Sequence, residues 1–356
     1  MAKTPIDDLK QFGQHDDLTR QLRRAQQDIA RLNTSNHDLT HENIRLHERL
    51  EVLEHLDGQS NQVPGWITRL PGKGKLHHAM PTLLLSDMHL DEVVRPEEVQ
   101  FVNAYNREIA VQRLNRTFEN IVTLTRSYFS GLTYDGFVLL LGGDNFSGGI
   151  HEELLETNED TLYGSLDFWS DQLTGFILGL VKEFGKVHAV GVVGNHSRRT
   201  RLPRAKFRAK DNLDWLLYRM LAKATSPKVT WQIPEAADAD VKIFQTSFLL
   251  THGDQFKGGS GIAGMLGPLT LGKHRVAEQQ MALHKNMDWL VVGHWHTYLH
   301  GAGLIVNGAL KGYDEYSLTK KFRPEPPVQA MFLVTPEHGA CFPAPVFCMD
   351  RKAEGW

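Results

Sequence analysis

The sequence predicts an α/β (α+β) fold of two packed β-sheets flanked by helices, preceded by an N-terminal coiled-coil helix. Three observations lead there. Five apolar, β-prone runs each end in a short cluster of carboxylate, amide or imidazole side chains. Helix-like periods fill the gaps between the early runs, whereas the end of the chain is strand-rich. A seven-residue rhythm of leucines occupies the N-terminal arm.

The arm comes first. Between residues 18 and 53 the d positions carry Leu18, Ala25, Leu32, Leu39, Leu46 and Leu53, and the a positions Leu22, Ile29, Asn36, Asn43 and Leu50. Leucine at d with asparagine at a is the pattern of a parallel two-stranded coiled coil, in which a buried Asn bonds its mate only in register. Asp28, Arg31, Asp38 and Arg45 crowd the opposite face, so the apolar stripe is as narrow as a coiled-coil seam. Residues 1–56 are therefore expected to join two copies as a homodimer. Residues 57–81, rich in Gly and Pro, read as a linker, and residues 82–356 as the catalytic domain.

Within that domain Leu83-Leu84-Leu85-Ser86 leads into Asp87-Met88-His89, and residues 137–141 lead into Gly142-Gly143-Asp144-Asn145. Residues 187–193 lead into Gly194-Asn195-His196, Phe248-Leu249-Leu250-Thr251 into His252-Gly253-Asp254, and residues 289–292 into Gly293-His294-Trp295-His296. Helices are expected near 105–130, over 162–184 and 213–224, and within 261–285. Later strands are expected over 303–307, 330–335 and 346–350. The carboxyl ends of buried strands converge on one crevice, so dispersed clusters become one site if these runs share a sheet.

Composition narrows the function. A net charge of −3 argues against a globally basic nucleic-acid binder and leaves room for a local basic patch. Cys341 and Cys348 do not make a disulfide framework, which fits a reducing compartment. Neither a signal-peptide core nor an apolar run of bilayer length is present. The expectation is a soluble cytoplasmic protein without a membrane partner.

Seven candidate ligands stand at the run ends: Asp87, His89, Asp144, Asn195, His252, His294 and His296. Their mixture of carboxylate, amide and imidazole suits two divalent transition-metal ions. Four imidazoles favour manganese, iron or zinc over magnesium, with Mn²⁺ the first expectation. In an extended segment Asp87 and His89 point to one face, as do His294 and His296, because strand side chains repeat every two residues. Two glycines before Asp144 let the backbone turn sharply beneath a metal. The remaining histidines, His151 and His188 among them, read as structural or exposed.

The order Asp-x-His, Gly-Asp, Gly-Asn-His, His, Gly-His-x-His resembles the calcineurin-like metallophosphoesterase superfamily over about residues 82–300. The resemblance implies a four-layer sandwich of two mixed β-sheets flanked by helices. It implies Asp87, His89 and His296 on one metal, Asn195, His252 and His294 on the other, and Asp144 bridging both. It also implies attack on phosphorus by a hydroxide shared between the metals, with His196 as the catalytic residue assisting the leaving oxygen. The pattern most resembles DNA-repair-exonuclease-like members, including phage-encoded ones that would work in a host cytoplasm. Protein phosphatases of the superfamily carry an arginine after Gly-Asp and an acid after Gly-Asn-His. Asn145-Phe146 and Ser197 stand there instead, which lowers that reading.

A nuclease is the expected activity. Residues 198–210 hold seven basic residues and no acid, a strip able to track a polynucleotide backbone, with Phe207 available for stacking. Expected substrate contacts are Asn145, Arg198, Arg199, Arg201, Lys311 and Tyr313. The glycine-rich residues 252–264 either bring amides to phosphate or act as a connector. Two alternatives stand beside this: a small-molecule or cyclic-nucleotide phosphodiesterase, and a coiled-coil assembly protein with a vestigial metal site.

Overall fold

The computed structural model describes residues 22–41, 43, 63–72, 76–257, 264–350 and 354. The chain divides into two compact units, Met1–Gly58 and Gln59–Trp356. In the first, residues 22–41 form helix α1, and its apolar a and d side chains Leu22, Ile29, Leu32 and Leu39 are all exposed. Leu18, Leu46, Leu50 and Leu53 lie outside the described residues.

The second unit runs α2 (Gly65–Thr68), β1 (His77–Leu85), α3 (Arg107–Thr123), β2 (Leu132–Tyr134), β3 (Phe137–Leu141), α4 (Glu152–Thr157), α5 (Leu162–Phe184) and β4 (Val187–Gly191). Next come α6 (Leu213–Thr225), β5 (Val229–Gln232), β6 (Asp238–Ile243), β7 (Thr246–Thr251), α7 (Leu266–Ala282) and β8 (Trp289–Val292). Then follow β9 (Leu299–Gly301), β10 (Leu304–Val306), α8 (Glu315–Thr319), β11 (Val328–Thr335) and β12 (Gly339–Phe347).

The strands form two mixed sheets. One is ordered β12-β11-β1-β3-β4-β5 with β2 beside β1, and the other β6-β7-β8-β10-β9. Strands β1, β3, β4 and β5 are mutually parallel, as are β7, β8 and β10. Alternation along each strand feeds different layers. On the outer side of the large sheet, Leu83, Leu139 and Ala189 meet Trp169 and Leu173 of α5 and Leu217 of α6. On its inner side, Leu84, Leu140 and Val190 meet Phe248, Leu250 and Val291 of the small sheet. Leu249 and Val292 face α7 through Leu269 and Val276. Strands buried on both faces explain why 137–141 reads as an unbroken apolar run. The result is the expected helix–sheet–sheet–helix sandwich.

Local signals place the helix ends. Helix α5 starts where the Thr161 hydroxyl accepts from Gly164 N–H and stops at Gly185, whose φ of 78° suits a residue without Cβ. Asn106 and Asn212 cap α3 and α6 in the same way.

Three expectations need correction. Residues 57–81 are not linker throughout, because Ile67 is fully buried in the core between the sheets, its carbonyl accepts from Phe244 N–H, and β1 already begins at His77; residues 57–62 and 73–75 lie outside the described residues. The strand expected over 346–350 is β12, which ends at Phe347. Its Pro343 and Pro345 disguise it. Proline cannot donate to a second neighbour, and β12 is an edge strand with only β11 to pair. The helix near 105–130 is α-helical only to Thr123 and closes in a π turn over Leu124–Tyr128. Strand β6 is an addition, in which Ala239, Val241 and Ile243 alternate with polar residues and are buried.

Candidate metal centre

Strands β1, β3, β4, β7 and β8 end at Leu85, Leu141, Gly191, Thr251 and Val292, and every candidate ligand follows within a few residues of one of these ends. The five runs do not share one sheet: β1, β3 and β4 belong to the large sheet, β7 and β8 to the small one. The clusters still meet because the sheets pack face to face with those ends together.

The backbone at the ligands is not extended. Asp87, His89, Asp144, His294 and His296 all have positive φ, from 47° to 65°. Asp-x-His and His-x-His therefore converge through left-handed turns, and not through strand alternation. Such backbone is uncommon for residues other than glycine, tolerated best by Asp, Asn and His, and gathers at functional sites. Glycines make room beside the carboxylates. A Cβ at Gly194 would collide with Asp144 Oδ1, and one at Gly293 with Asp87 Oδ2.

Three ligand-bearing trios result, each with its donor atoms mutually within 4.8 Å: Asp87, His89 and His296; Asp144, His252 and His294; and His89, Asp144 and His196. The third links the other two. Asn195 joins the second trio, its Oδ1 lying 3.1 Å from His252 Nε2. His89 Nε2 lies 3.2 Å from His296 Nε2, and His296 Nε2 3.4 Å from Asp87 Oδ1. All seven expected ligands are thus brought together.

The donors fit divalent metal. Basic nitrogens face basic nitrogens and carboxylate oxygens in a buried pocket, an arrangement that a bound divalent cation would satisfy. Asp144 Oδ2 is buried without an aligned hydrogen bond and lies 2.9 Å from His252 Nε2. Burial by itself would lower His252, but the Asp144 carboxylate overrides it and raises the imidazole to about 10. Burial, then the charge of His252, lowers His294 to about 4. Burial, then Lys311 and His196, lowers His89 to about 3. Against the pull of burial, the histidines hold Asp144 well below the carboxylate range.

Neighbouring groups aim the ligands. His252 Nδ1 lies 2.8 Å from Gly142 O, and His196 Nδ1 2.9 Å from Ser147 O. A carbonyl only accepts, so both rings carry the proton on Nδ1 and keep Nε2 for the site. His89 Nδ1 lies 3.0 Å from Glu92 Oε2, a buried carboxylate that Lys311 and His89 hold in its charged form against burial. Asp87 accepts from Ser86 Oγ and, at 2.8 Å, from His294 N–H. Ser86 is in turn fixed by Asn307 Nδ2 at 2.9 Å. His196 donates its backbone N–H to Asp144 Oδ1 at 2.7 Å, and its ring is 4.5 Å from that of His89.

The residue that sequence reasoning missed is Asp214. Fully buried near the start of α6, it accepts from Asp144 N–H, Asn145 N–H, Gly194 N–H, Asn145 Nδ2 and Ser197 Oγ at 2.7–3.2 Å. One carboxylate thereby ties the Asp144 turn to the Asn195–His196 turn. Burial and the nearby Asp144 charge raise it. In sequence it resembles any acid in a helix's first turn, so no local signal marks it.

The expected substrate contacts divide. Asn145 is buried and bonds Asp214 and Tyr218; Lys311 is buried between Glu92 and Asp314, each within 2.7 Å; Tyr313 donates to Phe322 O at 3.1 Å. These three side chains are committed to partners within the protein itself. Arg198 donates to the carbonyls of Asn195, Thr200 and Arg201, and Arg199 pairs with Asp211. Arg201 has no side-chain partner among the described residues. His151, expected to be structural or exposed, is exposed and brings its ring to 5.9 Å from that of His196.

Among the described residues no helix is long and apolar enough to cross a membrane. No protein-family model matches the chain, and no curated protein does. Solved structures to which it is similar include a predicted phosphoesterase from Streptococcus pneumoniae TIGR4, at 10% identity over 75% of this chain and 97% of that one with a TM-score of 0.27. Vps29 complexed with zinc from Entamoeba histolytica is 14% identical over 76% of this chain and all of that one, with a TM-score of 0.28. The sulfate thiohydrolase SoxB of Thermus thermophilus is 9% identical over 78% and 57%, with a TM-score of 0.31.

Proposed function

We propose that the chain is a dinuclear metal-dependent phosphodiesterase that hydrolyses nucleic acid. The observation that carries this is the junction at Asp144, where the trio His89, Asp144 and His196 shares a residue with each of the two ligand sets. Asp87, His89 and His296 would hold one ion, Asn195, His252 and His294 the other, and Asp144 both. Bound there, two dications supply a nucleophile from water at neutral pH and take up charge developing on a phosphoryl oxygen.

The chain's own residues complete the site. With Nδ1 tied to Ser147 O, His196 has Nε2 free to meet a phosphoryl oxygen or give a proton to the leaving oxygen. Burial lowers the His196 imidazolium, Asp144 opposes that, and an approaching phosphate anion opposes it further. The donor set favours Mn²⁺, with iron and zinc as competitors. Basic residues without acidic partners beside Asn195 support a polyanionic substrate, and the heptads of the arm support a homodimer presenting two such sites.

An activity panel with Mn²⁺ or with chelator tests the reading. It spans single- and double-stranded DNA and RNA, cyclic nucleotides and bis(p-nitrophenyl) phosphate. Nucleic acid should be cut with Mn²⁺ and spared with chelator. Cleavage confined to small diesters would favour the small-molecule reading, and no cleavage of any ester would end the phosphodiesterase reading.

A further inference from the structure

The geometry points to a nucleotide subsite between Asn195 and Asn212, in which Phe207 stacks on an unpaired base while Arg204 and Lys206 hold flanking phosphates. It rests on the phosphodiesterase reading above and names the form of substrate that reading leaves open: a single strand, or a strand end with unpaired bases.

The segment is a closed excursion from the metal centre. Asn212 Nδ2 donates to Gly194 O at 2.9 Å, Leu213 N–H to Ser197 O at 2.9 Å, and Arg198 bridges Asn212. Inside, the Arg198 guanidinium staples three carbonyls at 2.8–2.9 Å. Arg208 pairs with Asp254 at 2.6 Å, fastening the excursion to the turn that carries His252. A pocket opens between these pieces, lined by Asn195, Arg198, Arg204, Phe207, Arg208 and Asp254. Its wall therefore includes a candidate metal ligand. A phosphate seated at the metals would leave the adjoining nucleotide in this pocket.

Pairing sorts the basic strip. Arg199, Arg208 and Lys210 have acidic partners in Asp211, Asp254 and Glu235, and Arg198 is bound to carbonyls. Arg204 and Lys206 line the pocket with no partner among the described residues. Arg208 Nε is buried and lacks an acceptor. Between these cations Phe207 is 76% exposed at φ 56°. An exposed Phe207 gains no packing from its own chain, and a stacked base would supply that packing. Aromatic platforms between backbone-tracking cations are how single strands are held, and bases paired in a duplex do not present their faces.

The test uses the full chain carrying Phe207→Trp, in chelator so that nothing is cleaved. A short single-stranded oligonucleotide should quench the added indole beyond any change in the seven native tryptophans, and its blunt duplex should not. Replacing Arg204 and Lys206 with alanine should flatten the slope of log affinity against log salt by about 1.4, roughly 0.7 for each phosphate left without its cation. With Mn²⁺, Phe207→Ala should lower kcat/KM for the oligonucleotide about tenfold relative to that for bis(p-nitrophenyl) phosphate, and Phe207→Trp should restore it. No quench, equal quenching by duplex, or an unchanged salt slope overturns the subsite. A chain that hydrolyses no ester while the oligonucleotide still quenches the introduced indole would sink the phosphodiesterase reading and leave the subsite standing.

Discussion

At the scale of single residues, the site depends on atoms turned inward by unusual backbone. Five ligands sit at positive φ, so their side chains converge where extended strands would splay them. His196 is the one imidazole of the linking trio that is not needed to complete either metal set. His196→Asn should therefore keep Mn²⁺ bound, as isothermal titration would show, while turnover of a diester falls by about 10²–10⁴. A variant that loses metal along with activity would place His196 among the ligands instead. A histidine away from the site contributes to acid sensitivity as well. His188, paired with Thr230 across β4 and β5, is lowered to about 4 by burial. Its unfolded value is about 6.5, so the unfolded chain binds the extra proton first as pH falls. The stability it contributes is complete above pH 6.5 and declines by about 3 kcal/mol as pH drops to 4. Urea titrations at several pH values should show this decline in the wild type and a flatter profile in His188→Val.

Among the elements, helix α6 does more than cover the sheet. Its Asp214 gathers donors from two separate turns, and both turns carry ligands. Asp214→Ala leaves several buried N–H groups without acceptors, each costing about 1–3 kcal/mol. The expected outcome is a lower urea midpoint together with weaker Mn²⁺ binding; unchanged metal affinity would make Asp214 a folding residue only. This element also shows what can be read from sequence. Strands β3 and β8 and helix α5 are legible to the residue, because apolar periodicity and caps are local. Edge strand β12 is not, since a proline's tolerance depends on how many neighbours the strand has. Neither is Asp214, whose role depends on two turns far away in the chain.

For the whole molecule, the two units carry different sequence features. Gln59–Trp356 holds every candidate ligand, and Met1–Gly58 holds the heptads. A chain starting at residue 59 should elute as a monomer in light-scattering chromatography and still hydrolyse bis(p-nitrophenyl) phosphate. A dimer from the shortened chain would remove the arm from the explanation. Among the described residues of the arm, Leu22, Ile29, Leu32 and Leu39 are exposed, and the shortened chain tests whether a second copy covers them.

By itself the sequence determined the buried central strands and the long helices, their order, and which seven side chains have the chemistry of metal ligands. Those properties follow from local periodicity and residue type. Tertiary structure decided the rest: that the ligands come from two sheets, that left-handed turns aim them, that Asp214 joins them, and which cations remain without an acid. The reason is physical. Hydrogen bonds, ion pairs and desolvation act between groups that only folding brings within a few ångströms, and no pattern along the chain encodes that distance.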